Sequence, residues 1–377
     1  SGHIIEQIEM LQEIIDNGFA YVVNGSVYFD VLNYSKHHDY GKLSGRIIED
    51  LIAGAGNDAR TLEGQDEKRN SNDFALWKKA KPEHIMRWPS PWGEGFPGWH
   101  IECSAMSSKY LGKKFDIHGG GMDLQFPHHE CEIAQSTVCN HVAPANYWLH
   151  NNMITINGKK MGKSYNNVIK LSELFAGTHP ILEQAYAPNT VRFFILQSHY
   201  RGTLDFSNEA LIAAEKAAKR LWEAYEWLSK LQVSDTQTTA ADADLDKKVN
   251  KLVSEFAIFM SDDFSTPKVL ANMFELVPII NGIKDKHTPI NALSAGTIHA
   301  LQQALKIYLE DIFGLVAPSA ANTAVLDGVL QLLIEMRSQA KASKDFVTSD
   351  KIRNQLMALG IQLKDEKDGT VSYSVSN

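Results

Sequence analysis

Apolar side chains recur at helical spacing over residues 4–16 (IIEQIEMLQEIID), and Asn17-Gly18 closes that pattern as a C-terminal stop. The period then changes to two on either side of Asn24-Gly25, in FAYVVNGSVYFDV, which predicts a two-stranded hairpin. Residues 35–98 follow neither period. They are polar and turn-rich, contain Trp77, Trp88, Trp92 and the cluster WPSPWGEGFPGW, and read as an irregular insertion rather than a domain core. From Trp99 to about His150 the order is a short helix, a strand in KKFDI, a glycine turn at His118–Gly121 and a second helix. That is the rhythm of an α/β layer with a ligand at the C-terminal end of the strand. A further strand in MITING leads into the loop GKKMGKS. From about Asn208 the pattern is helical almost throughout, with polar linkers expected at 233–245 and 317–324. Residues 206–230 and 246–315 predict a bundle with Trp222, Tyr225, Trp227, Phe256 and Phe259 in its core. The chain closes with a helix over 347–359, Gly360, and two strand-like runs, IQLKD and TVSYSV.

Composition adds limits. A chain of 377 residues, 44% hydrophobic and 22% charged, has room for two to four domains at roughly 100–200 residues each. No apolar run approaches the ~20 residues of a membrane span, and no signal-peptide core opens the chain, so a cytoplasmic protein without membrane contact is expected. Three cysteines, Cys103, Cys131 and Cys139, are too few for a disulfide framework and suit a reducing compartment. A net charge of −8 argues against a protein that coats nucleic acid through phosphate neutralisation. It leaves room for a nucleic-acid enzyme with one basic face. Arg337, Lys341, Lys344, Lys351 and Arg353 cluster near the C-terminus, with only Asp345 and Asp350 between them. They form either such a face or an ordinary solvated one.

The segment Phe126-Pro-His-His-Glu-Cys-Glu132 is dense in metal-ligand side chains. A helix beginning at Pro127 sets His128 and Glu132 at i and i+4, on one face. Cys103 precedes His128 by 25 residues. A thiolate, an imidazole and a carboxylate together favour zinc over magnesium or calcium, and three protein ligands leave a position for substrate. Spacing alone neither selects His128 over His129 nor excludes Cys131. The plainer alternative is a helix with solvated His and Glu and a core Cys103. The metalloprotease pattern H-E-x-x-H fails because position 133 is Ile133, and no C-x-x-C pair of a zinc finger exists.

Two segments suit phosphate. The run Asn157–Ser164 falls one residue short of a P-loop, because Asn157 stands where its first glycine belongs. What remains is a loop carrying Lys159, Lys160 and Lys163, able to neutralise phosphates as point charges or simply solvated. His118-Gly119-Gly120-Gly121 resembles the oxyanion glycines of some esterases, but the G-x-S-x-G elbow they require is missing. Glycines after a strand also let a flat ligand or phosphate approach the backbone, with Asp123 near enough for ribose hydroxyls, or they make only a tight turn.

Taken together, GWHIECSAM (98–106), FDIHGGGMDLQFPHHECEIAQS (115–136), KMGKS (160–164), SHYRGTLDFS (198–207) and SDKIRNQLMALGIQLKD (349–365) resemble the cysteinyl-tRNA synthetases, class I aminoacyl-tRNA synthetases, over nearly the whole chain. The resemblance implies a Rossmann-like α/β catalytic domain followed by a mainly α-helical bundle and a small α/β anticodon-binding module. Expected boundaries are 1–96 for the connective insertion and the end of the first Rossmann half, 97–150 for the second half, 151–207 for the lysine-loop region, 208–318 for the bundle and 325–377 for the anticodon module. It also implies zinc on Cys103, His128 and Glu132, with one further cysteine near the N-terminus, binding the thiolate of substrate cysteine. Lys160 and Lys163 match the family's lysine signature and would act on ATP. His118, Gly119, Gly120, Gly121 and Asp123 lie where the family binds ATP, and Trp99 and His100 where it lines the cysteine pocket. Lys341, Asp350 and Asp365 are candidates for anticodon contact. The implied partners are tRNA(Cys), L-cysteine and ATP with Mg2+, acting on a monomer.

The chemistry agrees with the resemblance. A hydrophobic pocket separates close analogues by only ~1–3 kcal/mol, whereas a soft Lewis acid prefers a thiolate to a hydroxyl outright. Two departures stand out. Gly162 replaces a serine of the lysine signature, which should loosen that loop. The family's H-I-G-H signature and first zinc cysteine have no match, so residues 1–377 alone are expected to bind tRNA but exchange ATP and pyrophosphate poorly. The alternatives are a paralogue charging an amino-sugar acceptor, which residues 325–377 disfavour, and a truncated, non-catalytic RNA-binding zinc protein.

Overall fold

The computed structural model describes residues 2–47, 67–234, 237–316, 320–359, 361–365 and 371–375. Gly360, residues 317–319 of the expected linker and residues 48–66 of the expected insertion lie outside them. The chain divides into two compact units, one of residues 1–186, 194–213 and 264–267, the other of 187–193, 214–263 and 268–377.

In the first unit, helix α1 (Ile4–Asp16) buries Ile4, Gln7, Leu11 and Ile14, one stripe at helical spacing, and ends before Gly18 in the left-handed region. Strands β1 (Ala20–Val23) and β2 (Ser26–Phe29) form the expected hairpin. Asn24 and Gly25 both hold positive φ, the geometry a two-residue hairpin turn of matching twist requires. A short helix α2 (Val31–Ser35) follows, capped by the Asp30 side chain.

The expectation of an irregular insertion over 35–98 is corrected in part. Strands β3 (Phe74–Lys79) and β4 (Gly95–Pro97) extend the hairpin to a four-stranded antiparallel sheet, β1-β2-β3-β4. Leu76 and Trp77 are fully buried in a core with Leu11, Ile14, Val27, Phe29 and Ile101. Burying each such side chain contributes about 1.5–3 kcal/mol, so this segment helps hold the unit together.

The site rests on the next elements: helix α3 (Trp99–Leu111), strand β5 (Phe115–Gly121), helix α4 (Glu130–Asn140) and strand β6 (Ala145–Asn151). β5 and β6 pair in parallel, His118 opposite Trp148 and Gly120 opposite His150, with α4 as the crossover. The glycines of His118–Gly121 therefore continue the strand instead of turning. A wider helical turn over Gln125–His129 leads into α4, with Phe126 extended at φ −137° and a cis Phe126–Pro127 bond. Beyond β6, β7 (Ile154–Ile156) forms a short sheet with β8 (Lys159–Lys160), antiparallel, and with β9 (Leu204–Phe206), parallel. Helix α5 (Leu171–Ala176) lies between β8 and β9 in sequence.

Helices α6 (Pro188–Leu196) and α7 (Asn208–Ser229) cross the division between the units, so the expected boundary at 208 falls at the head of a helix. The second unit is mainly helical, as expected: it holds α8 (Ala243–Ser261), all but the first two residues of α9 (Thr266–Lys284), and α10 (Ala295–Lys306). Tyr225 and Phe256 are buried there, and Trp222, Trp227 and Phe259 partly so. Helix α11 (Ala320–Ala342) takes in the second half of the linker expected at 317–324. Helix α12 (Phe346–Ala358) and the hairpin of β10 (Ile361–Asp365) and β11 (Val371–Val375) match the closing helix and strand pair of the sequence. Arg337 is buried on α11 and drops out of the expected basic face, while Lys341, Lys344, Lys351 and Arg353 are exposed.

Candidate metal and nucleotide site

Two helices and one strand converge on Glu132. It lies in the first turn of α4, fully buried, with His128 one turn before it; His128 Nε2 is 3.0 Å from Glu132 Oε1. From β5, His118 Nε2 reaches Glu132 Oε2 at 3.2 Å. From α3, Cys103 completes a group in which the ligand atoms of Cys103, His128 and Glu132 all lie within 4.8 Å of one another. Ligands of a tetrahedral zinc at about 2.0–2.3 Å stand roughly 3.5 Å apart, so small movements bring this set to that geometry. Sulfur from half-buried Cys103 with nitrogen and oxygen from buried His128 and Glu132 make a donor set suited to zinc.

The spacing of the sequence left His129 and Cys131 open. Cys131 points into the core, fully buried, with its Sγ 3.6 Å from Tyr40 Oη, and burial pushes its thiol well up. His129 is not in the group with Cys103. It belongs to a second group with His118 and Glu132, also within 4.8 Å, and its Nδ1 meets His150 Nε2 at 2.8 Å. Glu132 is thus common to both groups, and each of the two adjacent histidines joins a different one.

Burial alone would raise the Glu132 carboxyl, but hydrogen bonds from His118 and His128 outweigh it and hold the group below its ordinary value. Burial pushes the Cys103 thiol up to about 11, with Glu132 and Glu102 adding to the effect, so a cation bound there displaces a thiol proton. His100 and His129 are each lowered to about 4, chiefly by burial.

Trp99 is exposed on one side, yet its ring centroid lies 4.3 Å from that of His128. His100 turns inward instead, and its Nδ1 lies 2.8 Å from His128 Nδ1. Gly119, Gly120 and Gly121 form the end of β5, and Asp123 just beyond is exposed. The loop expected over 157–164 is corrected in part: Lys159 and Lys160 form strand β8, Lys163 follows in the turn beyond it, and Lys160 and Lys163 are both exposed. Gly162 does not loosen it: its φ is −173°, an extended value open to any residue, and its N–H donates to Asn167 Oδ1 at 2.9 Å. Asn167 Nδ2 in turn donates to the Lys160 carbonyl at 3.1 Å. Lys341 and Asp350 lie exposed on α11 and α12. Asp365 ends β10, and its side chain lies outside the described residues.

Four supporting residues carried no sequence signal for the role they play. Glu130, buried at the start of α4, accepts from Gly41 N at 3.2 Å, Ser44 N at 2.7 Å and Ser44 Oγ at 3.1 Å. That fixes the loop after α2 to the helix carrying the ligands. Gln135, Asn167 and His150 are the others; each acts through contacts distant in sequence or through the backbone of a loop.

A parallel strand–helix–strand unit carrying a thiol–imidazole–carboxylate group, with lysines downstream, is the arrangement expected of a class I tRNA synthetase catalytic domain, and comparison with known proteins agrees. The family model described as "tRNA synthetases class I (C) catalytic domain" matches residues 1–216, and the DALR domain model matches residues 255–317. The cysteine–tRNA ligase of Parabacteroides distasonis is 54% identical over 372 residues, covering 98% of this chain and 73% of the relative. That of Bacteroides thetaiotaomicron is 55% identical with the same coverage. The chain belongs to the cysteine–tRNA ligase family. A solved structure described as a putative arginyl-tRNA synthetase from Campylobacter jejuni matches with a TM-score of 0.50 at 10% identity, covering 83% of this chain and 61% of that one, and supports the fold alone. Among the described residues no helix is long and apolar enough to cross a membrane.

Proposed function

We infer that this chain serves the ATP-dependent activation of L-cysteine and its transfer to the 3′ end of tRNA(Cys). The observation that carries the reading is the convergence of Cys103, His128 and Glu132, whose ligand atoms lie within 4.8 Å of one another. These three residues would hold zinc. A bound zinc supplies a soft Lewis acid that lowers a thiol pKa and prefers sulfur to a serine hydroxyl. Trp99, over His128, and His100, in contact with it through Nδ1, would line the cysteine-binding side of the site.

The remaining work is positioning and electrostatics. The glycine end of β5 lets a nucleotide approach the backbone, and Asp123 can accept from ribose hydroxyls. Lys160 and Lys163 neutralise charge that builds on the triphosphate as the cysteine carboxylate attacks the α-phosphate, with Mg2+ accompanying ATP. Lys341, Asp350 and Asp365 are proposed to face anticodon bases, whose splayed edges offer amino groups to carboxylates and acceptors to lysine. The test is thiol-selective binding measured by calorimetry. Zinc-loaded protein should bind L-cysteine and leave L-serine unbound, and Cys103→Ser should remove both zinc and cysteine. Equal binding of the two amino acids, or unchanged zinc in Cys103→Ser, would sink the reading.

A further inference from the structure

His100 on α3 and His128 before α4 face each other through their Nδ1 atoms at 2.8 Å. A hydrogen bond between two neutral imidazoles holds one proton, so one ring donates and the other accepts. On its far side His128 Nε2 lies 3.0 Å from Glu132 Oε1. An ionised carboxylate only accepts, so that contact places the His128 proton on Nε2. His128 Nδ1 is then the acceptor, the shared proton sits on His100 Nδ1, and His100 Nε2 carries none. Both rings are held in place by neighbours. Phe74 stands edge-on to His100 at 5.7 Å, and Trp99 lies over His128.

A cation on Cys103, His128 and Glu132 requires the lone pair of His128 Nε2, the nitrogen that faces Glu132. We propose that metal occupancy reverses the tautomers of the His100–His128 pair, with His100 acting as the positioning residue that fixes the metal-facing nitrogen of His128. The inference rests on the reading of these three residues as a zinc site. The protons balance. His128 Nε2–H leaves to solvent, the shared proton crosses the 2.8 Å contact to His128 Nδ1, and His100 Nε2 takes a proton from solvent. The pair remains neutral, and the Cys103 thiol releases one further proton as it becomes a ligand. His100 then presents a donor on the side where it presented an acceptor, so the hydrogen-bonding character of a pocket residue depends on the metal.

Two-bond 1H–15N correlation spectra of the 15N-histidine-labelled chain, metal-free and with zinc, read the tautomers without any variant. His128 is expected to convert from Nε2–H to Nδ1–H and His100 from Nδ1–H to Nε2–H. An unchanged His100 tautomer, or metal bonded through His128 Nδ1, would overturn the proposal. Chelator competition supplies a second measurement. His100→Phe should weaken zinc by about 10–100-fold, the range for lost orienting partners, and His100→Gln, whose amide oxygen can accept from Nδ1–H, should recover most of it. Equal losses in the two variants, or none in either, would contradict the role. Wild-type protein that takes up no zinc at all would overturn the zinc reading together with this one.

Discussion

Ser104 Oγ donates to Gln135 Oε1 at 2.6 Å, and both residues are fully buried. The bond joins α3 to α4 one residue after Cys103 and three after Glu132, so it sets the distance between the helices that bring the two candidate ligands together. Gln135 Nε2 already lacks a partner. Ser104→Ala leaves the oxygen unpaired as well, and the cost expected for a buried acceptor is about 1–3 kcal/mol. Urea denaturation measures it. Replacing both residues, Ser104→Ala with Gln135→Leu, should be less destabilising than the sum of the single changes; strict additivity would show that the two side chains do not act as a pair.

Gly120 and Gly119 are neighbours with opposite tolerances. A Cβ on Gly120 would meet His129 Cε1 at 2.8 Å, His129 Nε2 at 3.1 Å and Leu124 Cδ1 at 3.1 Å. The imidazole cannot swing aside freely, because His150 holds its other nitrogen. A Cβ on Gly119 meets only the Leu149 carbonyl at 3.6 Å. Gly120→Ala should therefore destabilise by about 1–3 kcal/mol, the range for overpacking, while Gly119→Ala stays within about 0.5 kcal/mol. Thermal melts of the two variants decide it. Equal shifts would mean that the His129 ring is free to move.

How much of this was legible in the sequence depended on the reach of each interaction. The hairpin at Asn24-Gly25, the helix α1 and the i, i+4 relation of His128 to Glu132 are local, and the sequence carried them. β6 passed unnoticed because ANYWLHN has no alternation; only pairing with β5 makes it a strand. β3 hid among turn residues, and burial of Trp77 in the core separates it from them. His128 and His129 were equivalent on spacing. In the fold His128 groups with Cys103 and His129 with His118 and His150, a difference that appears only once β5 and β6 are in place. Glu130 read as one more candidate carboxylate, whereas its bonds to Gly41 and Ser44, more than 80 residues away, make it a fastener.

Stability should depend on pH through imidazoles that burial keeps neutral. His100 and His129 are lowered to about 4 from an ordinary 6.5. Above pH 6.5 neither the folded nor the unfolded chain protonates them, and they contribute no slope. Between 6.5 and about 4 the unfolded chain takes up protons that the folded one refuses, so stability falls as pH drops through that window. Glu132 acts in the same direction at more acid pH, because its lowered carboxyl loses its stabilising ionised form as pH falls. Urea midpoints across this range should decline steadily from near-neutral pH. A profile flat down to about pH 5 would show that these rings protonate in the folded state.

Asn167 is the residue that shapes the lysine loop. Nine-tenths buried, it accepts from Gly162 N and donates to the Lys160 carbonyl, pinning the loop on both sides of Met161. Asn167→Ala removes both bonds at a stability cost of about 1–2 kcal/mol and frees the backbone that carries Lys160 and Lys163. Trypsin should then cut at these exposed lysines several times faster. Gly162→Ser is expected to leave the cleavage rate unchanged. The backbone there is extended, and the nearest atom to an added Cβ, Tyr165 Cδ2 at 3.3 Å, belongs to an exposed side chain that can shift. If the lysines hold the triphosphate, saturating ATP should slow cleavage in wild type and Gly162→Ser. Lys163→Ala should lose that protection while Asn167→Ala keeps only part of it, since a misplaced point charge still attracts phosphate but no longer meets it in a fixed geometry. Protection that survives intact in Lys163→Ala would remove the loop from the nucleotide site.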